Sequence, residues 1–132
     1  MNSAWLAGFV DGEGCIGLSP VPYGGWQVRI IITNTSEDIL KQIHSQYGGT
    51  MSARQYKPNW KPCRQLTLCS RKAIVLLRDI YPFLVLKRPQ ANIAFEFQSL
   101  LGKGERIPIT VVQKKQVLAD KLHRLNKKGV GN

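Results

Sequence analysis

Acidic residues are scarce in this chain. Asp and Glu number 8 against 19 Lys and Arg, which leaves a formal net charge of +11 and a pI near 10.0. For 132 residues such a balance points to a polyanionic partner, nucleic acid foremost. A ribosomal-type or merely basic surface shares it, so the placement of the charges has to decide. Cysteine is also sparse. Cys15, Cys63 and Cys69 are odd in number and show no C-x-x-C spacing, which indicates neither a disulfide framework nor a zinc site. His44 and His123 stand far apart, so any metal would be bound by oxygen. No apolar run approaches the roughly 20 residues of a membrane span. The start, Met1 to Trp5, has neither the basic opening nor the apolar stretch of a signal peptide. The expectation is one intracellular domain over residues 1–132, in a bacterial or phage cytoplasm or in a chloroplast or mitochondrion, with no membrane partner.

What is present reads as alternating helices and strands. Ser3 is placed to cap a helix in which Trp5, Leu6, Phe9 and Val10 recur at helical spacing, ending around Gly12 to Gly14. Residues 15–19 read as a strand, closed by Pro20, Pro22 and a turn at Gly24 and Gly25. Residues 27–33 form a second, with Val28, Ile30 and Ile32 on one side and Gln27, Arg29, Ile31 and Thr33 on the other. Ser36, followed by Glu37 and Asp38, starts a helix that Gly48 and Gly49 stop. Residues 50–56 and 64–69 are two more strands. Ser70 opens a helix that ends before Pro82, and Pro89 suits the first turn of another whose apolar face is Ile93, Ala94, Phe97 and Leu101. After a loop over 102–108, residues 111–128 place Val111, Leu118, Leu122 and Leu125 on one stripe amid lysines and arginines, with Gly129 as the stop.

This order predicts an α+β fold, an antiparallel sheet covered by helices on one face. The open face would carry Gln27, Arg29, Ser52, Arg54, Tyr56, Gln65 and Thr67, residue types that hydrogen-bond base edges and phosphates. Ser19, Thr33, Lys57, Arg64 and Arg88 complete the expected DNA contacts.

The segment Gly12-Glu13-Gly14-Cys15-Ile16-Gly17 fits G-x-G-x-x-G, but a dinucleotide loop needs a strand before it and a helix after it. Here the order is reversed, so that reading is excluded. Gly8 and Gly12 lie four apart on one helix face and allow a second backbone to approach. Asp11 and Glu13 crowd the helix C-terminus, where the dipole disfavours negative charge. A divalent cation would relieve that repulsion, and Asp11 could equally be a turn residue.

The run Trp5-Leu6-Ala7-Gly8-Phe9-Val10-Asp11-Gly12-Glu13-Gly14 resembles the signature of the LAGLIDADG homing endonucleases, with Leu-Ala-Gly at its start and Asp-x-acid-Gly at its end. The likeness extends to the αββαββα order and implies a saddle-like sheet with extra C-terminal helices. It implies that Glu13 binds a catalytic Mg2+ or Mn2+ with the Gly12 carbonyl. It also implies that Lys87, in Pro82-Phe83-Leu84-Val85-Leu86-Lys87-Arg88-Pro89-Gln90-Ala91-Asn92, is the active-site lysine. Asn34 resembles a position that holds a nucleophilic water. A single motif implies a homodimer through Leu6, Gly8, Phe9 and Gly12, and hence a site-specific endonuclease cutting a long pseudo-palindromic double-stranded DNA target. An intron RNA maturase, a non-cleaving DNA-binding protein and a basic ribosome-associated protein are the alternatives.

Overall fold

The computed structural model describes residues 1–22, 25–54, 58–59, 61–101 and 109–130. Helix α1 (Ser3–Glu13) is capped one residue earlier than the sequence suggested: Asn2 Oδ1 accepts from the Trp5 N–H at 3.0 Å. It passes directly into strand β1 (Gly14–Pro20). Glycine is required at that junction, because a Cβ on Gly14 would lie 2.9 Å from the Val10 carbonyl oxygen. Strand β2 (Trp26–Asn34) leads to α2 (Glu37–Tyr47), then β3 (Thr50–Arg54) and β4 (Cys63–Cys69). Helix α3 (Arg71–Ile80), a 3₁₀ turn at Tyr81–Phe83, α4 (Arg88–Ser99) and α5 (Ile109–Val130) follow.

Two helix ends differ from expectation. Helix α4 stops at Ser99, so Leu101 lies beyond it and is 38% exposed rather than on its apolar face. Helix α5 continues through Gly129, a residue disfavoured in helix interiors yet not forbidden there. The loop expected at 102–108 lies outside the described residues, as does Gly24.

All strand pairs are antiparallel, in the order β1-β2-β4-β3. Two hairpins thus join through their inner strands. Ile16, Leu18, Val28, Ile30, Ile32, Leu66 and Leu68 point to the helix-bearing side and are at most 4% exposed. There they meet Leu6 and Val10 of α1, Leu40 and Ile43 of α2, Leu77 and Ile80 of α3, Phe97 of α4 and Leu122 of α5. Burying a large aliphatic side chain is worth about 2 kcal/mol. A one-residue slip of β2 would turn its three out of the core at a cost of roughly 6 kcal/mol, which holds the register. The phenol of Tyr47 donates to Asp79 Oδ2 at 2.7 Å and ties α2 to α3. Burial and the Asp79 carboxylate push its pKa up to about 12, so it stays protonated at neutral pH.

The free edge of β1 is covered by α5. Asn126 Nδ2 donates to the Ile16 carbonyl at 2.9 Å, and His123 Nε2 stands 3.3 Å from the Leu18 carbonyl while its ring packs edge-on against Trp26. These contacts occupy backbone groups that would otherwise template another strand. Their consequence is that the open face of the sheet is bounded on that side by a basic helix.

Candidate active site and nucleic-acid interface

The end of α1 separates two acids that the sequence places together. Asp11 is buried, and its carboxylate accepts two backbone N–H groups, Val85 through Oδ2 at 2.8 Å and Lys87 through Oδ1 at 2.9 Å. The Lys87 ammonium then donates to the Asp11 main-chain carbonyl at 2.5 Å. One residue therefore clamps the turn after the 3₁₀ segment from both its side chain and its backbone. The repulsion expected at the helix C-terminus is relieved for Asp11 by the chain's own donors, and a cation there is favoured by the dipole. Glu13 is different. It is exposed, and the ion pairs among the described residues are those of Glu37 with Lys41 and Arg64, none involving Glu13.

Of the expected catalytic trio, Glu13 and Lys87 are thus gathered at the last turn of α1. The Asn34 side chain is engaged within its own turn. Its Oδ1 accepts the Ser36 N–H at 2.7 Å, an Asx turn into α2, and Ser36 itself makes no side-chain cap bond. It shares the strand parity of Ile32 and pairs with Arg64, away from the open face.

Among the described residues no three or more His, Cys, Asp or Glu side chains group together as metal ligands. Beside the terminal carbonyls of α1 the described residues offer one free carboxylate, that of Glu13. That oxygen-only set fits a hard divalent cation completed by water and substrate oxygens.

The open sheet face is arranged in cross-strand rows. Nearest Glu13 is Thr33 with Gln65 and Ser52. Next come Cys15, Ile31, Thr67 and Thr50, then Gly17, Arg29 and Cys69, and outermost Ser19 with Gln27. None of the four strands contains an acid. Gln65 is packed low in the face, 7% exposed, with Nε2 3.4 Å from Thr67 Oγ1.

One expected contact is corrected, and another already has partners within the chain. Arg64 shares the parity of Leu66 and Leu68 and turns to the helical side, where Nη2 lies 3.7 Å from Glu37 Oε1. Arg88, though exposed, donates from Nη2 to the Pro82 carbonyl at 3.2 Å and stacks over the Tyr81 ring. Tyr56, Lys57 and the side chain of Arg54 lie outside the described residues.

No family model and no curated protein matches the sequence. Solved structures do. The homing endonuclease I-CvuI, solved with its target in the presence of Ca, superposes with a TM-score of 0.73 at 28% identity over 93% of this chain and 80% of that one. With the I-CreI target in Mg, where the DNA is not cleaved, the TM-score is 0.75 at 29% identity over the same shares. The chain is similar in fold and in sequence to the LAGLIDADG homing endonucleases. Two other structures share the fold. The archaeal intron-encoded homing endonuclease I-Vdi141I, complexed with DNA, gives a TM-score of 0.76 at 20% identity over 93% of this chain and 82% of that one. The LAGLIDADG meganuclease I-AabMI, bound to uncleaved DNA, gives 0.67 at 21% over 90% of this chain and only 44% of that one.

The LAGLIDADG helix has two sides. Leu6, Ala7 and Val10 are buried in the chain's own core, so Leu6 is corrected from an interface residue to a core residue. On the other side Trp5 is 47% exposed and stacks on Phe9 at 5.2 Å, and a Cβ added to Gly8 or Gly12 would meet nothing within 4 Å. The LAGLIDADG motif thus presents one shallow outward surface. Phe83, Val85 and Leu86 on the Lys87-bearing turn are exposed as well. Reading the sequence missed these and missed the Asp11 clamp, whose partners lie 74 and 76 residues away.

Proposed function

We propose that this chain is a site-specific DNA endonuclease that acts as a homodimer on a long pseudo-palindromic duplex with Mg2+ or Mn2+. The observation that carries the reading is the Lys87 ammonium, held on the last turn of α1, two residues from the unpaired Glu13 carboxylate. That pair stands at the end of an acid-free polar sheet face. The DNA complexes of I-CvuI and I-Vdi141I support duplex DNA as the ligand.

In this reading Glu13 and the Gly12 carbonyl hold the divalent ion. When bound, such an ion activates water and stabilises the leaving oxygen of a phosphodiester. Lys87 offsets the charge that develops on the phosphate. Asp11 fixes the backbone from which Lys87 extends. Gln27, Thr33, Ser52 and Thr67 present donors and acceptors to base edges, and the net charge of +11 supplies phosphate attraction. The second copy packs on the outward side of α1, through Gly8, Phe9 and Gly12. A two-fold dimer then calls for a two-fold site.

The test selects tightly bound duplexes from a random library in Ca2+, adds Mg2+ and looks for double-strand cuts, with Glu13→Gln alongside. Cutting by the wild type and binding without cutting by Glu13→Gln is the expected result. A specific pool that is bound and never cut makes the protein a non-cleaving DNA-binding protein, and preferential capture of structured RNA makes it a maturase.

A further inference from the structure

Arg29 stands near the middle of the open sheet face with less to bond to than its position requires. Its side chain is half-buried as a whole. Nη1 donates to Ser19 Oγ at a long 3.4 Å, and Nε is fully buried with no acceptor among the described residues. No carboxylate occurs in any strand to neutralise it. Its cross-strand neighbours, Gly17 and Cys69, are small, which leaves room for the side chain to stand up from the sheet. A cation so placed is held in position by its stem and keeps donor capacity at its outer end.

We propose, resting on the DNA reading above, that Arg29 reads a guanine in each half of the target, its terminal nitrogens donating to O6 and N7 in the major groove. Guanine alone among the bases offers two acceptors at the spacing of a guanidinium fork. A phosphate offers a comparable fork, but phosphates flank the groove while Arg29 is in the second of four strands, inside the face.

The register also gives the position. Side chains two apart on one strand face are about 6.7 Å apart, close to two base-pair steps. Strand β2 runs away from Glu13 as its numbers fall, since Gly14 pairs with Ile32. The guanine therefore lies about two base pairs farther from the cut than the base beneath Ile31. Ile31 can offer only apolar contact, which suits a thymine methyl.

The experiment is affinity profiling in Ca2+ of the full chain, Arg29→Ala, Arg29→Gln and Ile31→Ser on a library randomised across both half-sites. Arg29→Ala should lose roughly 5- to 150-fold of the preference for guanine at one position per half-site and leave other positions intact. Arg29→Gln, which keeps a polar side chain in the slot should the alanine variant misfold, should shift that position toward adenine. Ile31→Ser should change a position about two base pairs nearer the centre. A uniform loss across all sequences, with the salt slope lowered by about one, would make Arg29 a phosphate contact and overturn the assignment. An unchanged profile overturns it too. If the wild type selects no sequence at all, the endonuclease reading falls and takes this one with it.

Discussion

The inward and outward sides of α1 are unlike although they belong to the same eleven residues. Inward, Leu6, Ala7 and Val10 fill the core and Asp11 spends both carboxylate oxygens on backbone donors. Outward, Trp5, Gly8, Gly12 and Glu13 are exposed, the glycines with open space where a Cβ would be and the acid without a counterion. Two acids two residues apart thus serve unlike ends: Asp11 holds the chain's own turn, and Glu13 is left available to something the chain does not contain. The comparison teaches that one short motif can fill a core on one side and leave an open polar surface on the other, and that helical phase sorts the two.

That contrast can be broken at several points. Leu6→Ala should destabilise the protein by about 2 to 5 kcal/mol, because it opens a cavity in the core. Denaturant unfolding measures it, and a negligible change would return Leu6 to the outward side. Glu13→Gln should cut double-strand cleavage by at least about a hundredfold. Its melting temperature and its affinity for the selected duplex in Ca2+ should stay near wild type, since the side chain is exposed and unpaired.

Asp11→Asn presents an amide NH2 to one of two buried N–H donors. Leaving one donor unmatched should cost about 1 to 3 kcal/mol. Loosening the turn should also slow cleavage more than it weakens binding, read as kcat against Kd. Equal losses in both would show that the clamp stabilises the fold without setting Lys87. A modest effect on the fold belongs to Gly8→Leu, which should raise single-chain stability by about 0.5 to 1 kcal/mol because glycine is a poor helix former and nothing obstructs the new side chain. Light scattering should nevertheless show loss of the dimer. A dimer that survives this change would place the interface elsewhere.

Much of this was legible residue by residue. The alternation of Val28, Ile30 and Ile32 specified the covered face of β2, and each proves fully buried. Gly48 and Gly49 ended α2 as expected, with φ of +82° and +100°. The parity of Arg64 with Leu66 and Leu68 already held the signal that turns it from the open face, and Asn34, two before Ser36, had the spacing of an Asx turn. Leu6 was harder. Trp5, Leu6, Phe9 and Val10 are all apolar, so composition alone does not show which of them faces inward.

The sequence by itself determined the element order, the alternation of each strand and the ten-residue motif, because these depend on neighbours a few positions apart. Only the tertiary structure decided that Asp11 anchors Val85 and Lys87, that α5 covers the edge of β1, and that Arg29 stands between Gly17 and Cys69 with a donor unspent. Those relations join residues tens of positions apart. No local periodicity encodes them, and they come into being only when the sheet's register and the helices' packing are fixed together.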